Sequence, residues 1–570
     1  MILLSYIIIF SNKSRNKDDL FESLFNTIQS VARQTLNFWD LNIYCDRSDY
    51  LKILSLVKKL PNDKSLLKNI QIRPIDTVNH SAILNHAISS VAGRWLTVIP
   101  MGDQISPYST YLLLHEALSH EDRVLVYADQ NFITNNKLKS DTFYRPNFSI
   151  DLLYSKNYIG DFFIFKKDAV IKIGGFDESL IFNWSHDLIL RLLNRFYLSR
   201  PPNNSPIENE ETKINDIFSH IPFVIHHQHS LNSSELLGID TNFSRDNIKK
   251  SKEGLISLKK HFTRIGIKVV VKKVKPFVYR HKWPILNRSY ENLNSRKKNK
   301  NLPLVSLIIP TRDEVKILKS CVESIINKTE YLNFEIIIVD NQSKDKKTIN
   351  YLKRIQDEYD FITVLSYDKT FNYSAINNFA SEHANGSILG FINNDIEVIS
   401  PDWLGEMVSH AIRPDIGCVG ALLLYPDGSI QHGGVVVGMH GVADHAFKGL
   451  DPKDPSTDYF DLIQSIYNPD AVTAATLLIQ KDLFNKIGRF DDKKLVVAFN
   501  DVDLCLKLRK AGFRVLLTPY AQLIHHESKT RSKDVSLASL QREQYEHTVM
   551  QSRWKTHKIL KRHLLRLFTK

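Results

Sequence analysis

Cysteine is scarce in this chain: Cys45, Cys321, Cys418 and Cys505 stand far apart among 570 residues. No two of them have the paired spacing of a zinc site or a disulfide framework, so neither organises the fold, and a reducing cytoplasm is the default expectation. Long apolar runs are also missing. Met1 to Phe10 is apolar but too short to span a bilayer, lacks a basic leader, and breaks into Ser11-Asn12-Lys13 without a small-residue cleavage site. It reads as a first β-strand. There is no glycine-rich phosphate loop with a lysine, which argues against a nucleotidyltransferase. The densest charge run, Arg296-Lys297-Lys298-Asn299-Lys300, has no interleaved aromatic residues on which bases could stack, so it reads as a solvated connector and no nucleic-acid partner is expected. What is present is an ordinary globular composition, 43% hydrophobic and 24% charged, with ample core and no sign of a disordered chain. The net charge of +13 is modest for this length and compatible with anionic small substrates, a membrane surface or nucleic acid, without choosing among them.

Strand and helix patterns alternate along the chain, which predicts α/β architecture with mainly parallel sheets. Ile2 to Phe10 reads as a strand, Asp19 to Arg33 as a helix and Leu41 to Cys45 as a second strand. After a polar, basic stretch the order begins again: strand Leu304 to Ile309, helix Ile317 to Ile326, strand Glu335 to Val339. The halves match in detail. Asn85 to Gly93 mirrors Asn378 to Gly386, Gly175-Phe176-Asp177 parallels Arg489-Phe490-Asp491, and Asp187-Leu188 parallels Asp503-Leu504. The expected organisation is therefore a tandem duplication: a first domain over 1–285, a linker over 286–302, a second domain over 303–550, and a basic amphipathic helix over 551–570.

The stretch that concentrates chemistry is Ser387 to Glu397, an apolar strand that ends abruptly in Asn393-Asn394-Asp395. Ligands of open α/β folds bind beyond the carboxyl ends of parallel strands, so this end suits an oxygen-liganded metal and its substrate. An ordinary turn after a core strand has the same composition.

Taken together, Val305 to Thr311, Ile338-Val339-Asp340-Asn341-Gln342-Ser343, the Asn393-Asn394-Asp395 strand end and Phe499-Asn500-Asp501-Val502-Asp503-Leu504 resemble a glycosyltransferase family 2 catalytic domain. The resemblance covers 303–532 and is strongest to two-domain bacterial enzymes of O-antigen and other cell-surface polysaccharide synthesis, with 1–285 as the first domain. It implies two tandem GT-A-like (Rossmann-like) domains and inverting sugar transfer from a nucleotide-diphosphate sugar to a glycan or lipid-linked acceptor. Thr311 and Asp340 would contact the nucleotide, with Asn341, Asn378, Asn393 and Asn394 as further substrate contacts. Asp395 would hold Mg²⁺ or Mn²⁺ in the last position of the family's Asp-x-Asp motif, whose first aspartate is Asn393 here, and His526 would complete the metal shell. Asp501 would be the general base, with Asp503 as its competitor, and Lys529 and Arg531 would bind diphosphate. The loop from Tyr425 to Gly434 suits acceptor recognition.

The first copy departs from this pattern: Cys45 stands for Asp340, Pro100-Met101-Gly102 for Asn393-Asn394-Asp395, and Ser185 for Asp501. Each change removes a charge the mechanism needs, so the first domain is expected to bind rather than catalyse, although Asp103, Asp129 and Asp187 remain nearby. A basic C-terminal helix would place the protein peripherally at the inner face of the cytoplasmic membrane, or dock on its own domain. A different class stays open: a catalytically inactive glycan-binding or scaffolding protein of a polysaccharide assembly complex.

Overall fold

The computed structural model describes residues 2–10, 17–60, 67–77, 79–134, 137–199, 210–229, 245–285, 302–454, 459–527 and 536–558. Two mixed sheets form the frame. The first contains β1 (Leu4–Ile9), β2 (Trp39–Asp46), β3 (Ile70–Ile75), β4 (Trp95–Val98), β5 (Gln104–Ile105), β6 (Leu125–Thr134), β7 (Lys137–Phe143), β8 (Phe163–Lys166) and β9 (Phe218–His229). Their spatial order is β3-β2-β1-β4-β8-β6-β9-β5, with β7 beside β6. A ribbon of β10 (Val270–Lys275) and β11 (Val278–Lys282) closes this half.

The second sheet repeats the order as β14-β13-β12-β15-β21-β17-β22-β16, with β18 beside β17. Its strands are β12 (Val305–Thr311), β13 (Phe334–Asp340), β14 (Ile362–Ser366), β15 (Ile388–Ile392), β16 (Ile396–Val398), β17 (Ile416–Leu424), β18 (Ile430–His432), β21 (Thr476–Gln480) and β22 (Arg514–His525); β19 (Val435–Val437) and β20 (Ala443–His445) pair separately. The first four strands of each order are parallel, as the alternation predicts. One strand in each half, β8 or β21, runs antiparallel to both neighbours, so the sheets are mixed. Parallel strands covered on both faces should be apolar throughout, and six of the seven residues of β12 are buried.

The duplication extends to single contacts. Gly93 N–H donates to Ser5 Oγ at 2.9 Å, and Gly386 N–H donates to Ser306 Oγ at 2.8 Å. A Cβ at Gly386 would meet Leu304 O at 2.6 Å, and one at Gly93 would meet Ser5 N at 2.5 Å, so only glycine allows either approach. In α1 (His80–Ser90) Asn85 exchanges two hydrogen bonds with the backbone of Phe176; in α4 (Tyr373–His383) Asn378 does the same with Phe490.

The halves meet across a buried charged seam. Asp151, fully buried, accepts from Arg413 at 2.7 Å, Arg514 at 3.0 Å and Asn468 at 2.8 Å. Glu406, also fully buried, accepts from Arg280 at 2.6 Å. Charge-assisted hydrogen bonds of this kind are stronger than neutral ones. The linker residues 286–301, Lys529, Arg531 and the tail beyond 558 lie outside the described residues. No helix among the described residues is long and apolar enough to cross a membrane.

Candidate functional site

The strand ends of the second sheet converge as the sequence pattern requires. β15 stops at Ile392, and Asn393, Asn394 and Asp395 turn the chain into β16, which pairs with β22 so that Ile396 faces His525. His525 Nε2 lies 3.2 Å from Asp395 Oδ1 and 3.4 Å from the Asn393 side-chain amide. His526 points elsewhere: its Nε2 is 3.3 Å from Glu397 Oε2. The expectation that His526 joins Asp395 is therefore corrected to its neighbour. Successive residues at a strand end present opposite faces, and only one of the two histidines can face the Asn-Asn-Asp turn.

The first copy supplies a comparison within the same molecule. Val224-Ile225-His226-His227 corresponds to Leu523-Ile524-His525-His526, and His226 Nε2 bonds Asp103 Oδ2 at 2.8 Å. There the pair is satisfied. Asp103 Oδ1 accepts the His229 N–H at 2.9 Å, His226 Nδ1 meets Gln130 Oε1 at 3.2 Å, and Phe162 stacks on the ring at 4.4 Å. In the second copy Asp395 Oδ1 and His525 Nδ1 are buried without a hydrogen-bond partner, although the ring and carboxylate stand 3.2 Å apart. Two ligands at right angles on one ion, with bonds of roughly 2.1 Å, lie roughly 3 Å apart. The Asp395 oxygen and the His525 nitrogen thus fit a divalent ion as one edge of its shell, while Asn393 turns its amide nitrogen to His525. No three His, Cys, Asp or Glu side chains converge among the described residues, so other ligands would complete the shell.

Asp501 sits at the start of α5 (Asn500–Lys510), directly after Phe499, whose φ of 58° is left-handed. That turn is braced from the next helix, α6 (Leu537–Trp554), where buried Glu546 accepts the N–H groups of Val497 at 2.8 Å and Ala498 at 3.1 Å. The Asp501 carboxylate accepts from Val502 N–H at 2.8 Å and Ala474 N–H at 3.0 Å. It lines a pocket of about 260 Å³ together with Asn393, Tyr373, Asp444 and His445. Tyr373 ties the two sides together, its hydroxyl donating to Ala474 O at 3.1 Å and Asn393 Oδ1 at 3.3 Å.

Asp503 faces away. Fully buried, it takes Arg553 at 2.7 Å, Trp554 Nε1 at 2.8 Å and Lys507 at 2.8 Å. Its counterpart Asp187, in α2 (Trp184–Leu193), takes Arg191 at 2.6 Å and Arg264 at 3.1 Å, the latter from α3 (Arg245–Arg264). Asp491 with Arg553 at 2.6 Å repeats Asp177 with Lys260 at 2.6 Å, and Glu546 repeats Glu253, which accepts from Phe182 and Asn183 N–H. Groups present in both copies hold the closing helix of each domain. α6 also runs through position 551, so residues as far as Trp554 pack as part of the second domain.

The remaining expected contacts divide. Thr311 Oγ1 accepts from Asn394 at 3.2 Å, and Asp340, at the end of β13, accepts Ser343 N–H at 3.1 Å, so these three stay at the strand-end face. Asn341 is buried, its amide donating to Tyr367 O at 2.9 Å and Lys369 O at 2.8 Å. Asn378 is occupied on both amide edges by Phe490, as its twin Asn85 is by Phe176. His525, Tyr373 and His445 were not legible as site residues. The repeated His-His pair was the available signal for His525.

Residues 306–435 match the family described as "Glycosyl transferase family 2". The chain is 34% identical over 538 residues to an uncharacterized protein of Sinorhizobium fredii, covering 94% of this chain and 55% of that protein. It is 30% identical over 511 residues to an O-antigen biosynthesis protein, RfbC, of Myxococcus xanthus, covering 89% of this chain and 36% of the relative. The chain thus spans about a third to about half of these relatives' lengths. A solved structure of GalNAc-T7 with UDP, GalNAc and Mn²⁺ aligns at 17% identity over 40% of this chain and 44% of its own, with a TM-score of 0.34.

Proposed function

Because this chain carries a glycosyltransferase family 2 domain, we propose that its second half transfers a sugar from a nucleotide-diphosphate sugar to a cell-surface glycan or lipid-linked acceptor, with inversion. The observation that carries this reading is that Asn393, beside the unpartnered Asp395–His525 pair, and the Asp501 carboxylate line one pocket wall. Asp395 and His525 would hold the ion, and Mn²⁺ suits the nitrogen donor better than Mg²⁺. When bound, the metal supplies Lewis-acid neutralisation of the leaving diphosphate. Thr311, Asp340 and Asn394 face the nucleotide side. Asp501 takes the proton of the acceptor hydroxyl as its oxygen bonds the anomeric carbon; the bond from that carbon to the diphosphate breaks, and the electron pair leaves with the nucleotide. The first domain, with Asp103 and His226 internally satisfied, binds acceptor or partner without turnover. A peripheral membrane contact by the tail beyond 558 belongs to the same reading, with the protein on the cytoplasmic side.

Release of nucleoside diphosphate from a panel of UDP-, GDP- and TDP-sugars, with Mn²⁺ or Mg²⁺, tests this. The expected result is metal-dependent turnover of at least one donor, lost in Asp395→Ala. If no donor is turned over, the inactive glycan-binding alternative takes its place.

A further inference from the structure

The second copy has a long excursion, 425–475, where the first has 135–162, and it builds the β19–β20 hairpin over the pocket. Gln551 and Thr556 hold the hairpin turn by donating to Gly441 O at 3.3 and 2.8 Å. The last hairpin residue, His445, meets His432 with Nδ1 to Nδ1 at 2.8 Å, the rings nearly perpendicular. His432 is fully buried, and its Nε2 receives the Thr473 N–H at 3.4 Å.

These contacts fix where the protons are. A backbone N–H only donates, so His432 Nε2 is bare and its proton sits on Nδ1. That proton is donated to His445 Nδ1, which must be bare in turn. His445 therefore carries its proton on Nε2, the edge left for the pocket that it lines with Asp501. No lysine or arginine lines this pocket among the described residues, whereas the carboxylates of Asp501 and Asp444 do. Beside Asp501 and Asp444 such a wall suits a neutral polyol, while the Asn393 end of the pocket adjoins Asp395 and His525.

We infer that His445, held as its Nε2–H tautomer by His432, is an acceptor-binding residue that recognises a sugar with two adjacent hydroxyls. One hydroxyl gives its proton to Asp501, and its neighbour accepts the Nε2–H of His445. This rests on the glycosyltransferase reading for the reaction, but the tautomer itself does not depend on it.

The test uses the full chain, a donor hydrolysed by the wild type, and a panel of methyl glycosides as acceptors. Glutamine places an amide N–H where Nε2–H stood; phenylalanine keeps only the ring. His445→Phe should lower acceptor kcat/KM by about tenfold, as expected for one lost hydrogen bond, and by clearly more than it lowers donor hydrolysis in water. His445→Gln should stay within about threefold of wild type. Equal transfer by His445→Phe, parallel loss of transfer and hydrolysis, or Gln as poor as Phe would each overturn the assignment. Nitrogen-15 histidine spectra, assigned through the same variants, should show His445 protonated at Nε2 and His432 at Nδ1; a His445 protonated at Nδ1 overturns it without any substrate. Absence of donor hydrolysis in the wild type would instead defeat the preceding reading, and the spectra would still decide the tautomer.

Discussion

Replacing Asp503 by asparagine separates the two aspartates at the head of α5. The carboxylate is fully buried, and its partners Arg553 and Lys507 are 27% and 22% exposed, so removing its charge strips Lys507 of its carboxylate and leaves Arg553 with Asp491 alone in a largely dry site. Breaking a buried ion pair costs about 3–5 kcal/mol, and the partial exposure of the cations places the effect near 3. For a domain of this size that lowers the melting temperature by roughly 6–12 °C. Thermal unfolding followed by circular dichroism measures it. The twin Asp187→Asn should lose a comparable amount, because Arg191 and Arg264 surround it in the same way. Turnover by Asp503→Asn, measured well below its transition, should stay close to wild type. An unchanged melting temperature together with lost turnover would refute the division of labour and move the chemistry to Asp503.

Acid should destabilise the protein from an unusually high pH. Burial pushes His186 down to about 4 and His261 and His281 down to about 3. Unfolded histidines protonate near pH 6.5, so below that pH the unfolded state binds protons the folded state refuses. Each buried ring then costs about 2 kcal/mol by pH 5, and a melting temperature flat between pH 7 and 5 would contradict this. Burial pushes the Glu406 carboxyl up, but its contacts with His410 and Arg280 outweigh this and bring it down to about 2. Its contribution is present above the ordinary glutamate value and is lost as pH falls from there towards 2. Asp151→Ala leaves buried Arg413 without its main partner and should cost about 3–5 kcal/mol, with limited proteolysis showing the halves parting. His525→Ala should abolish the Mn²⁺ response of donor turnover, whereas His526→Ala should leave it nearly intact; the reverse order would return the metal assignment to His526.

Much of this molecule was legible because it is written twice. Matching residues such as Asn85 with Asn378 and Asp187 with Asp503 revealed the duplication, yet the same matching hides their role: each keeps the same kind of partner in both copies, whereas His226 and His525 are kept in different surroundings. Positions that differ, such as Ser185 against Asp501, point to the chemistry. The choice between His525 and His526 depends on which face of a strand end each occupies, and the register with β16 that sets this is a long-range pairing no local pattern encodes. The mixed half of each sheet was illegible for the same reason, since a strand's apolar run does not state its direction.

The central claim is that chemistry resides in the second copy at Asp501 and not at its counterpart Ser185. Nucleoside diphosphate release with saturating Mn²⁺ and acceptor, compared between Asp501→Asn and Ser185→Ala, tests it most directly. The expected result is a loss of about 10²–10⁴-fold for Asp501→Asn and near wild-type release for Ser185→Ala. Release that survives Asp501→Asn and collapses in Ser185→Ala would contradict it.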